Sequence, residues 1–302
     1  MDFKLLESLC SIPGISGDES RIKDFILAYV QHSKKNWKVQ PKIIAGPELQ
    51  DGFLLVFGAP RVAVFSHIDT VGYTVAYGNG LVKVGGPSAK SKSKLVDEKG
   101  RVCSLYKDKQ GKLSYTGKHV YERGTCLSYQ PDFKESEDVI QSPYLDNRLG
   151  VFVALKLAET LEDGILAFTT YEEVGGGNAQ VLGRYIYDRH QVHQALVADI
   201  TWVTTGVQPG NGVAISTRDS GIPRRNYVKQ IIALAEASGV PYQLEVESGG
   251  GSDGNVLQSS AYPFDWCFIG AAEDHVHSPT ETVSKVDISS MIALYKHLLF
   301  KL

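Results

Sequence analysis

The chain has 302 residues, of which 43% are hydrophobic and 22% are charged, and its formal net charge is −3. This composition is typical of a folded globular protein and excludes a disordered chain. The negative net charge argues against a nucleic-acid-binding protein, and no apolar run approaches the roughly 20 residues of a membrane span.

The N-terminal segment "MDFKLLESLC" carries acids among its apolar residues and lacks the apolar core of a signal peptide. The four cysteines are scattered and form no CxxC pair, which favours free thiols in a reducing compartment. We therefore expect a cytoplasmic protein that binds neither a membrane nor nucleic acid.

In chain order, hydrophobic periodicity predicts helices that alternate with buried strands. "GDESRIKDFILAYVQHS" has apolar residues at helical spacing, and "GFLLVFG" and "RVAVFSH" are short apolar runs typical of strands. Further along, "NRLGVFVALKLAETL", "AQVLGRYIYDRH" and "PRRNYVKQIIALAEAS" predict helices, whereas "GILAFTTYEE", "QALVADI", "YQLEVES" and "FDWCFIGA" predict strands. "GGGSDGN" predicts a loop, and the chain closes with the helix "DISSMIALYKHLLF", which Asp287 can cap.

This alternation predicts an α/β fold, a three-layer domain with a mostly parallel central sheet flanked by helices. One segment departs from it: between Tyr73 and Gln141 no helix is predicted, and strand-like pieces such as "LVKVGG" and "GRVCSLYKD" are separated by turn signals. We therefore expect a main domain, which carries the candidate site, from residues 1–72 and 141–302. Residues 73–140 would form a small inserted β-rich domain.

Polar side chains stand where several predicted strands end. "RVAVFS" is followed by His67, with Asp69 two residues on, "GILAFTTY" is followed by Glu172 and Glu173, and "QALVA" is followed by Asp199. Ligands of open α/β sheets bind outside the carboxyl ends of the strands, so we expect these side chains at one edge.

Two further residues join this set. "FDWCFIGA" leads through a short loop to His277, and Asp146 precedes a predicted helix. Each residue alone has an ordinary explanation, such as a helix N-cap for Asp146 or a satisfied core histidine for His67. Together they form a set of His, Asp and Glu without a thiolate, which suits zinc, cobalt or manganese.

The carboxylates are numerous enough for two divalent ions. Asp146, Glu173 and Asp199 with one hydroxide nearly neutralise four positive charges, and two-metal sites hold their ions about 3.5–4 Å apart. A further carboxylate must stay off the metals to take a proton from the bridging water. The neighbours Glu172 and Glu173 could fill these two roles, because the glycines after them allow a turn. The residues alone do not assign which glutamate takes which role.

The motifs "HIDTVG", "LDNRLG", "EEVGGGNA", "VADI" and "HSPTETV", in this order, resemble the metallo-aminopeptidases of the M42 family, which is related to the M20 and M28 peptidases. The opening "PGISGDES" resembles that group too. M42 enzymes carry a small β domain between the first His and the bridging Asp, and here His67 and Asp146 are 79 positions apart. "DNRLG" resembles the M42 pattern "DDRxG", with Asn147 in place of the second Asp, whereas "EEVGG" leans toward M20.

The resemblance implies a place for each metal ligand. One metal would be held by His67, Asp146 and Asp199, and the other by Asp146, Glu173 and His277, with Asp146 bridging. Zinc is the expected ion, and cobalt and manganese accept the same ligands.

The resemblance also implies that Glu172 is the general base, that Asp69 orients His67, and that Gly251 and Asp253 contact substrate. The expected function is a dimetal aminopeptidase that hydrolyses the N-terminal peptide bond of short peptides through a metal-bridged hydroxide activated by a glutamate. The family also implies a homo-oligomer, either a dimer or a larger assembly.

Two alternatives stay open from the sequence. One is an M20-like carboxypeptidase or N-acyl amino acid amidohydrolase. The other is a non-catalytic member that uses the scaffold for binding, although the complete ligand set and Glu172 argue against it.

Overall fold

The computed structural model describes all residues from 1 to 302, and its helices lie on both faces of one large sheet. The helices are α1 (Lys4–Cys10), α2 (Ser20–Ser33), α3 (Leu145–Ala158), α4 (Ala179–His190), α5 (Arg225–Ser238), α6 (Asp253–Ser259) and α7 (Lys285–Lys301). None of them combines the length and the apolar character that crossing a membrane requires.

The chain forms seventeen strands in two sheets. The strands are β1 (Lys42–Ile44), β2 (Phe53–Phe57), β3 (Ala63–His67), β4 (Gly72–Val75), β5 (Leu81–Val84), β6 (Lys94–Val96), β7 (Val102–Lys107), β8 (Leu113–Thr116), β9 (Cys126–Tyr129), β10 (Lys134–Glu135), β11 (Val139–Gln141), β12 (Gly164–Thr169), β13 (Gln194–Trp202), β14 (Val213–Arg218), β15 (Tyr242–Val246), β16 (Asp265–Asp274) and β17 (Thr282–Ser284).

The centre of the large sheet is parallel. Strands β12, β3, β13 and β16 are neighbours in that order and run in the same direction. Antiparallel pairs extend the sheet, through β2 and β1 beyond β12, and through β17, β11 and β10 beyond β16. This arrangement confirms the predicted α/β fold, and it brings the carboxyl ends of β12, β3 and β13 to one edge.

Buried side chains on both faces of the sheet explain why its strands are continuous apolar runs. Successive residues of β3 point to opposite faces, so Val64 packs in the core formed with α1, α2, α3, α5 and α7, and Phe65 packs in the core formed with α4 and α6. The domain therefore has three layers, with helices on both sides of the sheet.

The second sheet is built by the segment after β3. Its six strands follow the order β5, β4, β9, β6, β7, β8, pair antiparallel, and enclose a separate core around Tyr73, Leu95 and Tyr129. We propose this unit as the inserted domain of residues 73–140. Near the C-terminal end of this range, β11 pairs with β17 and β10 pairs with β11, so both strands already belong to the large sheet.

Two local predictions are wrong. The "GGGSDGN" stretch is not entirely loop, because α6 begins at Asp253 and is held by the burial of Leu257 in the α4 and α6 core. Asp287 does not cap the last helix, since that helix begins two residues earlier and Ser284 Oγ accepts the N–H of Val286. The Asp287 carboxylate instead accepts two backbone N–H groups of the loop before β14, both at 2.8 Å.

Candidate active site

His67 ends β3 at the carboxyl edge of the parallel strands, and its side chain is almost wholly buried. Its Nδ1 lies 3.5 Å from Oδ1 of Asp69. Its Nε2 faces the other way, 3.2 Å from Oδ1 of Asp146 and 3.5 Å from Oδ2 of Asp199. A carboxylate behind one ring nitrogen commonly holds the other nitrogen toward a metal, and this geometry fits the orienting role expected for Asp69.

Asp146 lies where the chain enters α3, and its own backbone is not helical (φ −78°, ψ 104°). The N–H of Gly150 is accepted by Asn147 Oδ1 at 2.8 Å, so the neighbouring asparagine supplies the side-chain acceptor for this first turn. Oδ1 of Asp146 lies 3.2 Å from Nε2 of His67, and its Oδ2 lies 3.1 Å from Nε2 of His277. Each carboxylate oxygen of Asp146 thus faces a different histidine.

A short 3-10 turn after β12 holds Glu172 and Glu173. Their backbone N–H groups donate to the two carboxylate oxygens of Asp69, at 3.1 and 3.2 Å. Gly177 closes the turn with φ 45°, and a Cβ there would lie only 1.7 Å from the carbonyl oxygen of Thr170. Glycine is therefore required at this position.

The two glutamates of this turn face different histidines. Oε2 of Glu173 lies 3.0 Å from Nε2 of His277, whereas Oε2 of Glu172 lies 3.9 Å from Nε2 of His67. Because the residues lie in a turn and not in a strand, two consecutive side chains reach one site.

Asp199 lies on β13, beside β3 in the sheet. Its Oδ1 accepts the N–H of Ile200 at 2.8 Å, and its Oδ2 accepts the hydroxyl of Ser252 at 2.7 Å. Ser252 precedes α6, so the helix missed by the sequence prediction helps to hold this carboxylate in place.

Two groups of three donors share Asp146. His67, Asp146 and Asp199 form one group, and Asp146, Glu173 and His277 form the other, with the donor atoms of each group within 4.8 Å of one another. All donors are nitrogen or oxygen, and zinc, cobalt and manganese accept such donors. Oε1 of Glu173 is also buried without a hydrogen-bond partner, and a cation would satisfy it. The residues therefore fit divalent metal ions.

Carboxylates outnumber cationic groups in this cluster, and pKa values shift accordingly. Burial lowers the pKa of His277, but Asp146 and Glu173 outweigh burial and raise it to about 12. Burial raises the pKa of Glu173 to about 7, and the charge of Asp146 adds to this increase. Burial also raises the pKa of Glu172 well above its usual range, and there the charge of Asp199 adds to the increase. Like charges buried this closely need cations or protons to compensate them.

A cavity of about 530 Å³ opens beside the cluster, and Gly251 is one of the residues that line it. Asp253 does not line the cavity. The residue is 1% exposed, and its Oδ2 accepts the hydroxyl of Thr169 at 2.5 Å. This position favours a supporting role for Asp253 over direct contact with substrate.

Sequence reasoning missed several residues around the site. Glu281 is buried, and its Oε2 accepts the backbone N–H of Asp146 at 3.2 Å. The residue lies within the motif "HSPTETV", which is the signal that could have identified it. Asp219, Glu245 and Glu247 line the cavity, and no motif marks them because they come from β14 and β15 and the segments that follow them.

A comparison with protein families decides between the M42 and M20 families for this chain. The sequence profile of the M42 glutamyl aminopeptidase family matches residues 114–294, more than half of the chain. The chain belongs to the M42 family. The matched range includes Asp146, Glu172, Glu173, Asp199 and His277, and the M42 assignment confirms the predicted family and its class, the peptide hydrolases.

Known proteins resemble this M42 chain over nearly its whole length. A proposed aminopeptidase of Acetivibrio thermocellus is 27% identical, with 97% of this chain and 96% of the relative aligned. An aminopeptidase from the archaeon Desulfurococcus kamchatkensis has a TM-score of 0.85 at 21% identity, covering 99% of this chain and 94% of that one.

The TET1 peptidase of Pyrococcus horikoshii, which is described as assembling into a tetrahedron or a large octahedral shell, has a TM-score of 0.80 at 21% identity and covers 99% of both chains. Both solved structures are 21% identical to this chain, so the likeness establishes its fold and not its activity.

Proposed function

We propose that this M42 protein is a two-metal aminopeptidase that removes the N-terminal residue of short peptides. The observation that carries the proposal is Asp146, whose two carboxylate oxygens face His67 and His277 at 3.2 and 3.1 Å. A carboxylate in this position can bridge two ions, and each ion then has a separate histidine.

His67, Asp146 and Asp199 would hold one ion, and Asp146, Glu173 and His277 would hold the other. Divalent ions supply Lewis acidity, which polarises a peptide carbonyl and makes water a stronger acid, and zinc is the ion we expect. Cobalt and manganese accept the same donors.

Glu172 is the proposed general base. Its carboxylate lies in neither donor group, 3.9 Å from the His67 ring, and it lines the cavity into which a peptide would enter. From there its Oε atoms can accept a proton from the attacking water and return it to the nitrogen of the leaving amine. Asp69 holds both His67 and the backbone of the Glu172 turn, so it positions the base and a ligand together.

The proposed substrate is a peptide with a free amino terminus, and we propose that the protein is cytoplasmic and works as a homo-oligomer. The M42 relative from Pyrococcus horikoshii is described as a large assembly, which supports self-association of this chain. Analytical ultracentrifugation tests self-association by comparing the mass in solution with the 33.0 kDa of a single chain. A single species of 33.0 kDa would contradict the homo-oligomer.

A substrate panel tests the proposed reaction. Metal-free protein, reloaded separately with zinc, cobalt or manganese, is assayed on aminoacyl anilides and on N-acetylated amino acids. We expect cleavage of the anilides with a free amino group, only after reloading, and no cleavage of the acetylated compounds. Cleavage of the acetylated compounds alone would instead indicate an M20-like amidohydrolase, and full activity without metal would contradict the two-metal site.

A further inference from the structure

The wall of the cavity carries three carboxylates beyond the proposed metal ligands and base. Asp219, Glu245 and Glu247 all line it, and no lysine or arginine does. Arg218 is close in the chain, but its guanidinium donates to the backbone carbonyls of Asp219 and Glu247. The side of the cavity away from the metal ligands is therefore strongly negative.

Strand β15 turns its acid inward and its apolar residues outward. Glu245 is only 4% exposed, whereas its neighbours Leu244 and Val246 are 45% and 66% exposed. A strand that packs only for stability shows the opposite pattern, with apolar side chains toward the core. The inverted pattern indicates that the inward carboxylate serves a purpose other than packing.

The hydrogen bonds around Glu245 are fewer than a buried carboxylate can accept. The hydroxyl of Thr201 donates to its Oε1. Ser216 Oγ lies near the same carboxylate but has no hydrogen-bond partner of its own, although Ser216 is buried. An ionised carboxylate offers about four acceptor positions, so Glu245 can still receive a cationic donor from the cavity.

The pKa values of two of these acids respond to the charge around them. Burial raises the pKa of Glu245 and that of Asp219. A bound cation would lower both again, because an opposite charge stabilises the ionised carboxylate.

The distance from the candidate metal ligands suits a long side chain. Thr201, which contacts Glu245, follows Asp199 by two residues on β13 and so points to the same face, about 7 Å further along the strand. The four-carbon stem of lysine spans about 6 Å, so a residue held at the metal ligands can place its terminal charge near Glu245.

We propose that this cavity selects peptides with lysine or arginine at the N-terminus, and that Glu245, with Asp219 and Glu247, is the specificity-determining group. The inference rests on the proposed function, because it places the first side chain of a peptide substrate in the cavity. An N-terminal glutamate, the residue in the name of the family, would meet three like charges here and be rejected.

A kinetic panel tests the preference. The wild-type protein is assayed on lysyl, arginyl, leucyl, glutaminyl and glutamyl coumarin amides, and we expect kcat/KM for the two basic substrates to exceed that for leucyl by about tenfold or more. In Glu245→Gln, which keeps the shape of the side chain and an acceptor for Thr201, the lysyl-to-leucyl ratio should fall by about tenfold. The matched control Glu137→Gln removes an exposed carboxylate elsewhere and should leave the ratio unchanged.

The lysyl-to-leucyl ratio of kcat/KM shows whether Glu245 binds the charged end of the substrate side chain or the α-amino group. If Glu245 bound the α-amino group, which every substrate has, all substrates would lose activity together and the ratio would not change. That result would overturn the inference, as would a wild-type preference for leucyl or glutamyl substrates.

A binding measurement keeps the inference testable even if no substrate is cleaved. Calorimetry on the purified protein compares L-lysinamide with L-norleucinamide, which has the same apolar stem without the terminal charge. We expect about tenfold tighter binding of lysinamide, and loss of that difference in Glu245→Gln but not in Glu137→Gln. Equal affinities overturn the inference, whereas Glu245-dependent binding without cleavage of any aminoacyl substrate overturns only the proposed function.

Discussion

Glu172 and Glu173 illustrate how two identical neighbouring residues can have different surroundings. Both glutamates line the cavity, but Glu173 lies 3.0 Å from His277 and belongs to a donor group with Asp146, whereas Glu172 belongs to no donor group and lies 3.9 Å from His67. These positions favour Glu173 as the ligand and Glu172 as the base.

The pair of variants Glu172→Gln and Glu173→Gln tests this division. Glu172→Gln should keep both metals and lose about a hundredfold or more in kcat, because a general base contributes about 10²–10⁴-fold. Glu173→Gln should lose one metal equivalent, since a neutral amide is a weaker ligand. Metal content by mass spectrometry and steady-state kinetics measure both effects. Loss of metal in Glu172→Gln with normal metal content in Glu173→Gln would reverse the two roles.

At the scale of elements, the turn after β12 is the structure on which the site depends most. It is tied to the segment after β3 through Asp69, which accepts the N–H groups of Glu172 and Glu173, and Ser16 donates to the same carboxylate at 2.6 Å. The turn closes at Gly177, where the backbone passes against Thr170. A change in this turn would therefore move the proposed base and a proposed metal ligand together.

Gly177→Ala is expected to lower the free energy of unfolding by about 2 kcal/mol or more, because a side chain at φ 45° is strained and its Cβ meets a carbonyl oxygen. Gly206→Ala is the matched control, since a Cβ there meets no atom within 4 Å. Urea denaturation measures both variants, and activity at a temperature where each is folded reports on the site. Equal stability of the two variants would contradict the tight turn.

At the scale of the whole molecule, the site joins segments that are distant in the chain. His67 and His277 are 210 positions apart in the sequence, and both face Asp146, which lies at the start of α3. Their carboxylate partners repel one another unless cations lie between them, so metal ions should stabilise the folded chain as a unit.

Removal of metal is therefore expected to lower the melting temperature. A ligand at about 100 times its Kd stabilises a protein by about 2.7 kcal/mol, which corresponds to roughly 4 °C for a chain of this size. Scanning calorimetry with a chelator, and then with zinc added back, measures the change and its reversal. Asp146→Asn, which weakens both donor groups, should show a much smaller shift, and an unchanged melting temperature in the parent protein would contradict the proposed metal site.

The local sequence predicted the alternation of helices and buried strands, because the period of apolar residues is written in neighbouring positions. It also predicted the edge of the sheet where His67, Glu172 and Asp199 gather, since parallel strands of one sheet end on the same side. Ordered motifs then supplied the family and the roles expected of each residue. These features can be predicted without knowing which distant segments of the chain are in contact.

Only the tertiary structure decided the features that depend on contacts between distant segments. Burial of Leu257 makes a helix of a glycine-rich stretch, and a loop before β14 takes the carboxylate that the sequence predicts as a cap, Asp287. The cavity acid Glu245 is likewise unmarked in sequence, because its place depends on the pairing of β15 with β14 and on the hydroxyl of Thr201. A residue's neighbours in space are set by strand pairing and packing, so the chemistry of the cavity wall emerges only when the whole sheet is assembled.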